Sequence, residues 1–432
     1  MLTVLSFLGV ILVVIFAHEL GHFVTAKLSH VKVEEAGLFY PPRLFAFKRG
    51  ETVYSINALP LGGFVKMSGE EDPDAPGSLA NKSIPTRLLV LGAGSIMNFL
   101  LPILLLSIAF MVPHDTVISD VEVMDVAPDS PAALAGIEPG DIILNINGKV
   151  VNNSGDLQRY LYRYLGSTIP VSIRHTDLST EEVRLTPSWK PPEGQDPIGV
   201  TTVQWVAIRE IAPDSPAAGA GIRPGDVILS IDGEEVHSVD DLGSYLDRHL
   251  DTEVAVLIRR TDLTTEEVHL IPRSDPPAEE GAMGVAVYTS SGPVTRQRLS
   301  FWQAIPKGFG QSIEIFVLFK NGVVGIISGA LPFDLRGPVG IAQMTGEVAR
   351  AGIGPLLEFA SLISINLGII NLFPLPALDG GRLIFVFLEF VRRGKRISPK
   401  KEWQIHTIGF FLLIAVFLAV TVQDIFRIIG GG

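Results

Sequence analysis

His18-Glu19-Leu20-Gly21-His22 sets two histidines four residues apart, with a glutamate directly after the first. On a helix, positions i and i+4 share one face. The two imidazoles can then hold a single zinc ion. Glu19 is left to take a proton from an attacking water and to pass it to a leaving amine. The pentapeptide closes an apolar run, MLTVLSFLGVILVVIF. Each ionisable residue near the centre of a membrane span costs about 2.5–3.5 kcal/mol on insertion scales. The bland alternative is a pair of histidines bonded to backbone carbonyls. That alternative gives Glu19 nothing to do.

A zinc ion that keeps one position open for water needs a third protein ligand. The chain has no cysteine, so the ligand must be His, Asp or Glu. Asp379, in NLFPLPALDGG, stands out. Pro374 and Pro376 interrupt the helix before it and free backbone to line a cavity. A carboxylate beside two glycines at a helix end is otherwise an ordinary turn.

These residues must be held by membrane helices. The 432-residue chain is 47% hydrophobic, and a span needs roughly 20 mostly apolar residues. Four stretches qualify: 2–24, 88–112, 356–378 and 405–422. The third carries Glu358, Ser361, Ser364, Asn366 and Asn371, and polar groups in a span usually mark function. The first lacks a basic leader and a small-residue cleavage site, so it is expected to be retained. The loop 392–401, RRGKRISPKK, and the loop between the first two spans are both basic, which places them in the cytoplasm. A fifth apolar stretch, 313–331, contains Glu314 and Lys320. Were it to span, the basic loops would fall on opposite sides. It is expected to lie along the outer interface.

Charge separates the chain into two parts. Residues 115–300 carry 30 acidic and 14 basic side chains, against 16 and 20 elsewhere. An acidic outer part on a membrane part is the simplest reading. The overall charge of −12 argues against nucleic acid as a partner. The outer part repeats itself at an offset of 85 residues: APDSPA at 127 and 212, GIEPGD and GIRPGD at 136 and 221, IRHTDLSTEEVRLTP and IRRTDLTTEEVHLIP at 173 and 258. Two tandem β-rich domains follow. In each, Asp or Ser of DSPAA can cap a short helix whose first turn takes proline. In the inner loop, LFAF-KRGE-TVYSI within 33–67 alternates like a hairpin turning at Arg49-Gly50.

The repeats resemble PDZ domains, which implies a groove where an extended peptide or a C-terminus adds as a strand. Taken with FAHELGHF and NLFPLPALDGG, the whole chain resembles the site-2 protease family of intramembrane zinc metalloproteases, specifically the branch of regulators of sigma-E. The resemblance implies His18, His22 and Asp379 as zinc ligands and Glu19 as catalytic acid/base. It implies that Asn366 and Asn371 bind the substrate backbone, and that the 33–67 region re-enters the membrane beside the active site. The expected architecture is a polytopic α-helical membrane protein with about four transmembrane helices, a cytoplasmic membrane-associated β-hairpin and two α/β PDZ domains on the outer face. Its parts would be a first half of the membrane core at 1–112, PDZ domains at 116–203 and 204–291, an interfacial segment at 301–335 and a second half of the core at 336–432. The expected setting is the bacterial inner membrane, with the PDZ pair on the periplasmic side. Expected partners are the bilayer, single-span membrane substrates and new C-termini. A non-catalytic membrane adaptor that binds peptides through its PDZ domains is the rival reading.

Overall fold

Proline, glycine and alternation mark the element boundaries in a computed structural model that describes residues 2–70, 74–117, 119–192, 194–277, 280–290, 292, 294–331 and 336–429. Residues 332–335 of the expected interfacial segment and 430–432 of the second core half lie outside the described residues. The chain divides into two compact units.

The first unit holds residues 1–112, 298–319 and 333–432. It begins with helix α1 (Leu2–Leu28), strands β1 (Val33–Arg49) and β2 (Thr52–Met67), and helix α2 (Ile84–Met111). Arg49 faces Thr52, so the hairpin turns on Gly50-Glu51, one residue later than expected. Gly50 takes φ +62°, which glycine adopts without a Cβ penalty. The strands bend back on themselves. Residues 35–38 face Val53–Ile56 on one side and Gly63–Lys66 on the other. Gly63–Met67 therefore forms an outer edge of the sheet.

The second unit holds residues 113–297 and 320–332. Its first repeat contains β3 (His114–Val117), β4 (Val121–Val126), α3 (Pro131–Leu134), β5 (Ile142–Ile146), β6 (Lys149–Val150), α4 (Ser154–Arg163), β7 (Ile169–Arg174), β8 (Thr180–Leu185) and β9 (Val200–Thr202). The second contains β10 (Trp205–Ile211), α5 (Pro216–Gly219), β11 (Val227–Ile231), β12 (Glu234–Glu235), α6 (Val239–Arg248), β13 (Val254–Arg259), β14 (Thr265–Leu270) and β15 (Val285–Ser290), followed by β16 (Val294–Gln297). The sheets run β8-β7-β5-β4-β9 and β14-β13-β11-β10-β15, the same order twice. Each repeat closes its own apolar core, around Ile143, Ile146, Leu161 and Ile173 in one and Ile228, Ile231, Val256 and Ile258 in the other.

The repeated motifs now have local causes. Ser130 and Ser215, not the preceding aspartates, cap α3 and α5 by accepting from Ala133 N and Ala218 N, each at 3.2 Å. Asp141 and Asp226, the last residues of GI-x-PGD, tie the turn by accepting from Glu138 N at 2.9 Å and Arg223 N at 2.8 Å.

The remaining helices are α7 (Phe301–Ile327), α8 (Pro338–Ala351), α9 (Ile353–Leu372), α10 (Asp379–Val391) and α11 (Pro399–Ile429). Among the described residues five helices, α1, α2, α7, α9 and α11, are long and apolar enough to cross a membrane, where four stretches were expected. The additional one is α7. The stretch was expected to lie along the interface because of Glu314, Lys320 and the basic loops; the helix that holds most of it starts at Phe301 and meets the length and hydropathy of a span. The third stretch also differs from expectation. It stops at Leu372 rather than 378, because Phe373 turns to extended backbone ahead of Pro374 and Pro376. Asp379 therefore opens a new helix, α10, instead of closing an old one. The glycines of 336–352 also gain a reason. Asp424 of α11 accepts from the backbone N–H of Gly337 at 3.1 Å and Gly340 at 2.8 Å, capping α8 from a distant helix. A Cβ on Gly337 would press into that carboxylate at 2.8 Å.

Candidate metal centre and active site

His18 and His22 lie one turn apart on α1, and both are buried. Asp379 reaches them from the first turn of α10. His18 Nε2 and His22 Nε2 stand 3.2 Å apart, and each is 3.1 Å from Asp379 Oδ2. Ligands at about 2.0–2.1 Å from a tetrahedral metal are separated by about 3.3 Å. The observed triangle has nearly those edges.

The far side of each imidazole decides what the near side can do. His22 Nδ1 donates to Val90 O at 2.9 Å, which leaves a lone pair on Nε2. His18 Nδ1 meets the side-chain amide of Asn98 at 3.2 Å and that of Asn371 at 3.4 Å. Asn98 is fully buried, and with its Nδ2 towards His18 its Oδ1 has no partner among the described residues. Turning that amide lets Oδ1 accept from His18 Nδ1–H, which satisfies the oxygen and leaves His18 Nε2 as an acceptor. Three acceptors then converge on one point. That arrangement repels itself unless a cation sits among them. Gly94 of α2 leaves the room: a Cβ there would collide with both imidazoles. The donor set, two imidazoles and one carboxylate, suits zinc.

Glu19 lines the same cavity as the three ligands. The cavity measures about 590 Å³, and the edge Gly63–Met67 forms one wall together with Tyr40 and Arg382.

Several contacts hold Asp379 in place. Arg87 of α2 donates to Glu389 of α10 at 2.6 Å, and Arg396 donates to the other carboxylate oxygen at 3.0 Å. Arg87 and Glu389 are buried, and removing one partner of such a pair costs about 3–5 kcal/mol. Arg382, one turn along α10 from Asp379, pairs with Glu70 at 2.8 Å. His406 Nδ1 accepts from Ala377 N at 2.9 Å and satisfies the backbone where the helix is broken.

The structure thus brings together His18, Glu19, His22 and Asp379. Asn371 touches His18. Asn366 sits on the same helix, half-buried, with Oδ1 unpartnered among the described residues. Neither asparagine lines the cavity beside Glu19. Sequence reasoning missed Asn98. Its signal was visible: it is the one strongly polar side chain within the charge-free core of the second span.

The chain is similar to known proteins over nearly its whole length. The regulator of sigma-W protease RasP of Bacillus subtilis is 29% identical over 457 residues, covering 99% of each chain. The zinc metalloproteases RasP of Shouchella clausii and of Geobacillus kaustophilus are each 29% identical, covering 99% and 98% of this chain. Among solved structures, the PDZ domain of the SdrC-like protein from Listeria monocytogenes is 30% identical and covers 20% of this chain and 93% of its own, with a TM-score of 0.18. Peptidase family M50 matches residues 6–416, a range that contains the helical histidine pair, Glu19 and the distant aspartate, and the chain belongs to that family.

Proposed function

We propose that the chain is a zinc metalloendopeptidase that cuts single-span membrane proteins within or beside their transmembrane helix. The observation that carries this reading is the convergence of His18 Nε2, His22 Nε2 and Asp379 Oδ2, with Glu19 beside them, on a cavity edged by an open strand. His18, His22 and Asp379 would hold the zinc. When bound, zinc polarises the scissile carbonyl and acidifies water. Glu19 takes a proton from the attacking water and returns it to the leaving amine.

An apolar helix resists hydrolysis because its amides are already bonded. Once unwound, its backbone needs partners, and the free edge of Gly63–Met67 offers them as an added strand. Asn366 and Asn371 grip substrate backbone near the scissile bond. Asn366 Oδ1 has an acceptor to spare, and an amide side chain offers both a donor and an acceptor. Residues 116–203 and 204–291 act as PDZ-type domains on the outer face, where they select substrates by size or by a new C-terminus. The basic loops support that orientation. Release of a regulator such as an anti-sigma factor, or removal of remnant signal peptides, both fit the chemistry. The name of the Bacillus subtilis relative favours the first.

The adaptor alternative is disfavoured by Glu19, which a purely structural metal site does not require. The test is cleavage of a model single-span substrate by the purified chain, beside Glu19→Gln and a chelated sample. Cutting inside the span that vanishes in both controls is expected. An intact substrate in every lane with metal present would favour the adaptor.

A further inference from the structure

A second cavity, of about 340 Å³, opens between α1 and the β-sheet. Phe16, Leu20 and Phe23 form its helix side, and Phe45, Phe47 and Tyr54 form much of its sheet side. It shares three residues with the metal-site cavity: Glu19, Phe64 and Val65. The acid/base therefore sits on a wall common to both spaces. A groove that begins at Glu19 begins within one residue of the bond being cut.

Its lining is preorganised. Phe47 and Tyr54 stack at 5.3 Å, and Phe23 and Phe45 flank them at 6.0 Å and 6.1 Å. Such ring pairs add to burial and hold the wall open. Gly37 forms part of the floor, and a Cβ there would collide with the ring of Phe64. Phe64, the partition between the two cavities, can stand where it does only because residue 37 has no side chain. The residues of the lining with polar side-chain groups are Glu19, Tyr54 and Ser55. Ser55 Oγ is already taken, donating to Glu35 at 2.6 Å and lying 3.3 Å from Asn57 Nδ2. An incoming polar side chain would lose its water and find few partners along a lining that is otherwise apolar.

We infer that this groove is the specificity pocket of the protease, taking a bulky apolar side chain, leucine, methionine or phenylalanine, from one residue flanking the scissile bond. The inference rests on the protease reading above. The occupant follows from continuity with the catalytic cavity and from strand geometry. A segment added along Gly63–Met67 points alternate side chains to opposite faces, so one of any two neighbours faces the groove. The volume suits one large side chain with space to spare.

The test uses the full chain in detergent and a set of single-span substrates in which each residue flanking the cut is varied through Gly, Ala, Leu, Phe and Asp. At one of the two positions, Leu and Phe should be cut at least about tenfold faster than Ala in kcat/KM, with Asp slowest. Ile56 lines the groove and is exposed, so its replacement leaves the fold intact. Ile56→Trp should lower the kcat/KM ratio of Phe over Ala substrates to about one or below. Ile56→Ala should extend acceptance to Trp. Equal slowing of all substrates by Ile56→Trp would show that the groove holds a lipid or detergent tail and would overturn the inference, as would indifference to flanking size at both positions. A second readout separates this from failure of the protease reading. Substrates carrying a photo-reactive benzophenone side chain near the cut are crosslinked to the Glu19→Gln chain. Attachment to Phe45, Phe47 or Ile56 supports the groove even if no substrate is ever cleaved. Attachment only elsewhere overturns it.

Discussion

The membrane unit and the first repeat each set histidine against two or more polar partners that include carboxylate, and the two clusters are built for different ends. In the membrane unit, His18, His22 and Asp379 aim three acceptors at one point, because Val90 and Asn98 occupy the far nitrogens. In the first repeat, His175 faces a carboxylate at both nitrogens, Asp141 from Nδ1 at 2.9 Å and Glu181 from Nε2 at 3.3 Å. When protonated, that imidazole donates twice and has no lone pair left for a metal. The second repeat confirms the point by substitution. Arg260 stands in the place of His175 and donates to Asp226 at 2.6 Å and to Glu266 at 2.7 Å. Arginine does the same work and cannot be a ligand. Residue types and proximity therefore do not make a metal site. The partner of the far nitrogen does.

The comparison can be broken most severely at its metal end. Asp379→Asn should reduce bound zinc from one per chain towards none and bring cleavage below about one thousandth of the original rate, with membrane insertion retained. His175→Ala should leave zinc content unchanged. Metal analysis of the two purified variants checks both, and the reverse pattern would undo the distinction. Glu19→Gln should lower turnover by about 10²–10⁴-fold yet keep the zinc, because Glu19 lines the cavity without belonging to the ligand triangle. Loss of zinc in that variant would make Glu19 a ligand. Asn98→Leu removes the partner of His18 Nδ1 and should weaken zinc affinity about 10- to 100-fold, read by competition with a chelator. Unchanged affinity would return Asn98 to simple helix packing.

The smallest effect lies in the repeats. Hydrogen bonding to Asp141, and then to Glu181, raises the His175 pKa above its ordinary value near 6.5. The protonated bridge is complete below that ordinary value and is lost as pH climbs through the raised one. Hydrogen exchange in β7 and β8 of the full chain should therefore quicken with pH beyond the intrinsic rise, while β13 and β14 should not. His175→Arg should make the first repeat behave like the second. Identical profiles in the parent chain would show the bridge to be dispensable.

Much of this was legible in residue order. The 85-residue offset announced a repeated unit, and the same strand order occurs twice. The i, i+4 histidines needed only a helix to face one another. Prolines 374 and 376 announced the helix break before Asp379, although not the new helix that Asp379 begins. The start of α7 was hidden because Pro306 and Lys307 interrupt its apolar pattern, and the helix tolerates that proline near its first turns. Asn98 was visible as a costly polar group in a span, but nothing local said that its partner was His18, 80 positions away.

The division follows the range of the forces. Caps, turns, spans and the histidine spacing arise between residues a few positions apart, and a reader of the chain can supply those partners. The distance from His22 to Asp379 covers 357 positions, and the Asp424 cap on α8 covers 84 and 87. Such contacts depend on which helix faces lie together, and apolar surfaces of similar composition leave many pairings open. Packing of α1, α2 and α10 through Gly94 and the Arg87–Glu389 pair settles the choice, and with it which nitrogens of the histidines remain free to bind.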